Sequence, residues 1–239
     1  MTHLRTTALL VAAVLLAGCS AGSGSEPAGS TPPGPAPSSS AAAGTVEPDA
    51  AAGEVAAAAA ADPAAARTPQ EAALATALRA TDLPADWSVQ ANPVPDGDLT
   101  DAPSLAGICS GTVTSEGRRT AKFPVTGLDP AGTAVLASEA IAYDTAASAD
   151  LALTELAAAF ATCPAEDYTF LPGPAADGLG DDSLVIGYEL SNGVGQVVVA
   201  QIRGAVLSVV IGDDPATTLG SAQRIADRMA RLPAAAIGG

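Results

Sequence analysis

Large apolar residues are spread very unevenly along this chain. The ten residues Ala8–Ala17 form an unbroken apolar run, and between Ser20 and Arg67 only Val46 and Val55 are large and apolar, whereas between Thr68 and Gly239 there are 45 such residues. A core can therefore form only from Thr68 onward, and the periods within that part predict its elements.

Thr68-Pro69-Gln70-Glu71 reads as a helix start. Thr stands at the cap, Pro at the first helical position, and Glu three residues after the cap, which makes a capping box. Leu74 and Leu78 share a face of this helix, which Thr81-Asp82-Leu83-Pro84 ends. Residues 91–107, rich in Pro, Asp and Gly, read as loop. Thr133–Asp144 alternates as a strand, with Val135, Ala137, Glu139, Ile141 and Tyr143 on one side and Leu136 and Ala140 on the other. That pattern leaves open which side is buried, because the first carries a Glu. Asp144 caps a second helix to about Ala161, where Ala149, Leu153, Leu156 and Phe160 form an apolar stripe that Cys163-Pro164 closes.

Four more strands are expected at Asp167–Leu171, Ser183–Ser191, Gly195–Arg203 and Ala205–Ile211. Asn192-Gly193 is a hairpin signal, since both residues tolerate positive φ. Gly204 allows a tight connection between the last two strands. Val197-Val198-Val199 and Val206 to Ile211 are β-branched and nearly continuous, which suits strands covered on both faces or lying at the sheet centre. Asp214-Pro215 starts a final helix whose stripe is Leu219, Ala222, Ile225, Ala226 and Met229, and Pro233 ends it. The predicted fold is α+β: an antiparallel sheet of about five strands with helices packed on one face, in a single domain over residues 68–239.

The first 67 residues have a different character. The apolar run at Ala8–Ala17 is shorter than the roughly 20 residues a membrane-spanning helix needs. It has the length of a signal-peptide core and is followed at once by Leu16-Ala17-Gly18-Cys19, which resembles the bacterial lipobox. This predicts a lipoprotein signal peptide at 1–18 and a lipid anchor on Cys19, placing the protein on the extracytoplasmic face of the cell membrane. Residues 19–67 hold long Ala tracts with seven Pro, six Gly and seven Ser, and read as a disordered tether. A flexible chain of that length spans roughly 35–40 Å and would lift the folded part off the bilayer.

Charge and histidine content narrow the function. Lys and Arg total 10 against 26 Asp and Glu, a net charge of -16, which argues against nucleic acid as a partner. The one histidine, His3, leaves with the signal peptide, so the mature chain offers no nucleophile–His pair and no His-based metal site. No cofactor or metal is expected. Paired carboxylates remain as candidate chemistry, but Asp181-Asp182 suits a turn, Asp96, Asp98 and Asp101 miss the calcium-loop spacing, and Asp213-Asp214 suits a helix cap. Arg118, Arg119 and Lys122 form the one basic cluster, read as a solvated loop, with docking of an anionic cell-wall polymer as the alternative. Cys109 and Cys163, an even pair in an exported chain, predict a structural disulfide. Trp87, Tyr143, Tyr188 and Arg203 are the candidates for gripping a small molecule or a cell-wall glycan, with core packing as the competing role for the three aromatics. The expectation is a non-catalytic sensor or binding domain, with a carrier of lipid or another apolar molecule, or a carboxylate-based envelope hydrolase, as the alternatives.

Taken in order, these pieces resemble a family. They are the lipobox, the tether, Leu83-Pro84-x-x-Trp87, Cys109, a strand ending in Tyr143, Phe160-x-x-Cys163-Pro164, Leu179-Gly180-Asp181-Asp182-Ser183, and Ile202-Arg203-Gly204. The series is similar to the extracellular sensor domain of PknH-like actinobacterial receptor kinases and to lipoproteins that carry that domain alone, over about residues 70–233. The resemblance implies a sheet with helices around a ligand cleft. The kinase-type domain usually carries a second disulfide near the sheet, for which this chain has no cysteines.

Overall fold

The computed structural model describes residues 48–91, 108, 109, 111, 113–180 and 182–238. Four helices, α1 (Pro48–Ala60), α2 (Pro69–Thr76), α3 (Ala146–Ala161) and α4 (Pro215–Met229), accompany seven strands. These are β1 (Ser88–Ala91), β2 (Arg119–Leu128), β3 (Ala134–Tyr143), β4 (Tyr168–Leu171), β5 (Ser183–Leu190), β6 (Gly195–Arg203) and β7 (Val206–Gly212). The strands form one sheet in the order β1-β2-β3-β7-β6-β5-β4, with every neighbouring pair antiparallel. The chain descends through β1, β2 and β3, is carried by α3 to the far edge, and returns as a meander from β4 to β7, which closes against β3.

The α+β class stands, but the sheet has seven strands rather than five. The two additional strands are β1 and β2. β2 reads poorly as a strand because it carries Arg119, Lys122 and a central Pro124. The pairing of β1 stops at Val125, so Pro124 lies just past the reach of that neighbour, where a missing N–H disrupts no ladder bond to β1.

Helices cover both faces of the sheet, not one. In β6, Val197 and Val199 join the cluster made with Leu78, Ala222, Ile225 and Met229 of the α2 and α4 regions, while Val198 and Ala200 join the cluster made with Ala149, Leu156 and Phe160 of α3. The same split settles the ambiguity in β3. Leu136 and Ala140 face α2 and α4, Ile141 and Tyr143 face α3, and all four are buried. The near-continuous apolar run of β7 has the same cause, since it lies at the centre of a sheet covered on both sides.

Packed residues are also found before Thr68. Helix α1 packs on β1 and α2, and Ala58 and Ala66, both within the stretch expected to be tether, are buried in the core. The expected signal peptide, Cys19 and the tether up to residue 47 lie outside the described residues, as does almost all of the expected loop at 91–107, whose first residue, Ala91, belongs to β1.

Caps fall where the sequence places them, with local adjustments. The Thr68 hydroxyl accepts the Glu71 N–H at 3.2 Å, while the Glu71 carboxylate reaches back to the Arg67 N–H at 2.7 Å, one residue earlier than the usual box. Helix α2 stops at Thr76, ahead of the expected end. Its last carbonyls, Thr76 O and Ala77 O, are met by the Arg228 guanidinium of α4. In α3 the capping side chain is Thr145, which accepts the Ser148 N–H, and Asp144 supports it by accepting the Ser148 hydroxyl at 2.6 Å. Asp214 caps α4 by accepting the Thr217 N–H at 2.7 Å. At the 192–193 hairpin only Gly193 takes a positive φ (82°), and the Leu190–Val194 bond at 2.9 Å closes a three-residue loop.

Candidate functional site

Four of the chain's seven aromatic residues meet where the C-terminal end of α3 lies over β4 and β5. Two facts of sequence put them there. Phe160 ends the α3 stripe, and Tyr168, Phe170 and Tyr188 share one face of adjacent strands, because Phe170 pairs directly with Tyr188 in the ladder. Ring centroids are 5.8 Å apart for Phe160–Tyr188, 5.4 Å for Tyr168–Tyr188, 6.3 Å for Phe170–Tyr188 and 6.4 Å for Tyr168–Phe170. These separations and the tilted or edge-on arrangement of most pairs match favourable aromatic contacts.

Burial grades outward through the cluster. Phe160 and Tyr188 are buried, Tyr168 is half-buried, and Phe170 is 46% exposed. Leu171, on the opposite face of the same edge strand, is 45% exposed. The Tyr188 hydroxyl donates to Gln196 Oε1 at 2.7 Å, and burial pushes its pKa up to about 12. It therefore remains a protonated donor across the physiological range, and Gln196 fixes its orientation. The Cys109–Cys163 disulfide, expected from the cysteine count, sits just past Phe160 with its Cα atoms 4.8 Å apart. It ties the segment entering β2 to the end of α3, and Ile108 and Val113 of that segment pack on the α3 core.

A second cluster lies under the other end of α3 and is polar. Arg119 and Lys122, read from the sequence as members of a solvated loop, are both buried on β2. The Arg119 guanidinium lies 2.6 Å from Glu116 Oε2, and the Lys122 ammonium lies 3.8 Å from Glu139. Burial lowers the Lys122 pKa against the pull of Glu139, and burial raises that of Tyr143, which is completely enclosed beside Ser115 and Glu116. Glu155 of α3 fastens the turn above them by accepting the Thr114 N–H (2.9 Å), the Thr114 hydroxyl (2.5 Å) and the Ser115 N–H (3.0 Å). Burial alone would raise the Glu155 pKa, but these hydrogen bonds outweigh it and hold the carboxyl below its ordinary value. With opposite charges paired in place, this cluster is a structural element that lets α3 close over two cations. Of the basic trio only Arg118 is exposed, and it pairs with Asp144 at 3.2 Å.

The four candidate ligand residues do not line one cleft. Tyr143 and Tyr188 belong to the α3 face, Trp87 is half-buried against the opposite core, and Arg203 is exposed at the end of β6. Only Tyr188 lies in the aromatic cluster. Phe170, the ring most available to a ligand, was not among the candidates, although its place in the short strand Asp167–Leu171 next to a paired Tyr188 was readable. The described residues include an open depression of about 650 Å³ at the start of α3, lined by Thr114, Arg118, Asp144, Ser148 and Leu151, and another of about 250 Å³ between the 80–84 turn and α4. In the first, Asp144 already occupies the positive end of the helix. Among the described residues no group of three or more His, Cys, Asp or Glu is arranged to hold a metal, and no helix is long and apolar enough to cross a membrane. Asp182 is exposed, whereas Asp96, Asp98, Asp101 and Asp181 lie outside the described residues.

The strongest buried charge pair was not legible in the sequence. Arg228 of α4 makes a two-pronged contact with Asp82, Nη1 to Oδ1 at 2.5 Å and Nη2 to Oδ2 at 2.7 Å, and both side chains are buried. Asp82 also accepts the Arg79 N–H at 2.9 Å. The pair pins the turn after α2 to the last turn of α4.

No family model matches the chain, and no curated protein matches it. Among solved structures the chain is similar to the extracellular domain of PknH from Mycobacterium tuberculosis, at 14% identity and a TM-score of 0.36, over 60% of this chain and 75% of that one. The likeness is a loose one of fold.

Proposed function

We propose that this protein is a lipid-anchored component of the cell envelope whose folded domain binds a ligand without catalysing a reaction. The anchor reading rests on Leu16-Ala17-Gly18-Cys19 directly after an apolar run of signal-peptide length. The Cys109–Cys163 disulfide accords with an oxidising, extracytoplasmic setting. The binding reading is carried by one observation: a half-exposed Phe170 held against Tyr168 and Tyr188, with Tyr188 packed in turn on Phe160, a supported aromatic surface at the edge of the sheet. Rings fixed by neighbours in this way meet a ligand with little loss of side-chain entropy. Three carboxylates of the described residues are held in structural contacts. Asp214 caps a helix, Asp82 holds Arg228, and Glu155 holds the 114–115 turn.

Backbone and side-chain NMR of the full chain tests the binding reading. Muropeptides, vesicles of phosphatidylethanolamine with phosphatidylglycerol, and short synthetic peptides serve as probes. Binding through this surface moves the signals of Phe170, Tyr188 and Gln196 together in a saturable way. Titrations that leave all three unmoved with every probe remove the reading.

A further inference from the structure

Among the described residues strand β4 ends the sheet, so one side of it has no neighbouring strand. Its register defines what that side presents. Leu190 gives its N–H to Val194 O and takes the Gly193 N–H on its C=O, while the Tyr168 N–H goes to Pro164 O. Tyr168–Leu190 is therefore a non-hydrogen-bonded pair. Pair types alternate along an antiparallel ladder, so Thr169 and Leu171 bond inward to β5, and Phe170 holds its N–H and C=O outward along the free edge. Natural edge strands are commonly blunted by Lys, Pro or a covering segment. The four residues here, Tyr-Thr-Phe-Leu, contain neither Lys nor Pro, and Phe170 and Leu171 are about half exposed on opposite faces.

The electrostatic setting selects the occupant. Residues 123–202 contain eleven Asp and Glu and no Lys, Arg or His. Glu166 and Asp167 immediately precede β4, Glu189 faces Thr169 across the ladder, and all three are exposed. A second copy of the chain, with the same net charge of -16, would be repelled from such an edge. A cationic strand would be drawn to it.

We propose that the β4 edge is the docking strand for an extended basic peptide that alternates apolar residues with Lys or Arg and joins the sheet beside Phe170. This rests on the reading of the domain as a binding module and names the partner of that aromatic surface. The incoming backbone completes the Phe170 N–H and C=O, and its apolar side chains lie on the Phe170–Tyr168 face, the pairing of main-chain and pocket contacts used in strand addition. Its basic side chains fall on the opposite face, two strand spacings or about 10 Å from Glu189, a distance that the combined reach of Lys and Glu spans.

Fluorescence anisotropy tests this with the full chain and a short labelled peptide of alternating Val and Lys. Three comparisons are made: a Val/Glu peptide, a Val/Lys peptide N-methylated at alternate residues, and the variants Phe170→Lys and Glu189→Lys, checked for folding by circular dichroism. The Val/Lys peptide is expected to bind saturably and to weaken with salt, and each comparison to lose about tenfold or more in affinity. Glu189→Lys changes an exposed side chain, so it stays informative if Phe170→Lys fails to fold. Absence of saturable binding by the Val/Lys peptide, or equal binding by its N-methylated form, overturns the proposal. In that event NMR shifts at Phe170 with muropeptides or vesicles would leave the broader binding reading standing, whereas no shift with any probe would remove both.

Discussion

Removing the carboxylate of Asp82 should be among the most damaging single changes this domain can suffer. Its side chain is 2% exposed and that of its partner Arg228 is 7% exposed, so neither charge has water to fall back on. Asp82→Ala leaves a guanidinium buried and uncompensated, removes two charge-assisted hydrogen bonds and strips the Arg79 N–H of its acceptor. Breaking one side of a buried pair costs about 3–5 kcal/mol. Taking a urea slope of about 2 kcal/mol per M for a domain of this size, the unfolding midpoint falls by about 2 M. The assay is urea denaturation followed by circular dichroism. The control is the double variant Asp82→Leu with Arg228→Met, which replaces the pair by apolar side chains and should recover most of the loss, because the large penalty belongs to the orphaned charge rather than to the absent pair. A single variant that loses less than about 1 kcal/mol, or a double variant no better than the single, would refute the reasoning.

Reducing Cys109–Cys163, or replacing both cysteines by Ser, should cost about 4 kcal/mol for a closed loop of 54 residues, read as a lower urea midpoint with and without dithiothreitol. Gly204→Ala should destabilise by at least about 1–2 kcal/mol, because Gly204 has a φ of +55° and a Cβ there would strike the Ile237 carbonyl; a neutral result in the same assay would contradict that packing. The raised pKa of Tyr188 implies that the folded state holds a proton which the unfolded state has already released above pH 10, so this contribution to stability is present below about pH 10 and is lost as pH rises toward about 12. Unfolding midpoints measured from pH 8 to 12 should fall less steeply in Tyr188→Phe than in the parent.

Much of the fold was legible where short-range chemistry decides it. Thr68 and Asp214 cap the helices that follow them, β6 runs from Gly195 to Arg203 as expected, and the two cysteines join. The features that were not legible all depend on partners distant in sequence. Arg119 and Lys122 look like surface residues until Glu116 and Glu139 are folded against them, and this is why β2 resembled a loop. Asp82 and Arg228 are separated by 146 positions, and no local pattern marks them as a pair. The number of covered faces was partly visible in the near-continuous apolar run of β7, but alternation in β3 supports either face and cannot announce that both are used. Tyr188 was named as a ligand candidate alongside Trp87, Tyr143 and Arg203; its place in an aromatic cluster emerges only when the register puts Phe170 beside it.

The most direct measurement of the central claim is the mass of the amino-terminal peptide of the protein isolated from cell membranes. The account predicts a mature chain that begins at Cys19 and carries diacylglycerol on its thiol, with Cys19→Ala abolishing both the acyl mass and the membrane association. A chain that retains residues 1–18, or one with a free Cys19 thiol that still partitions with membrane, would contradict it.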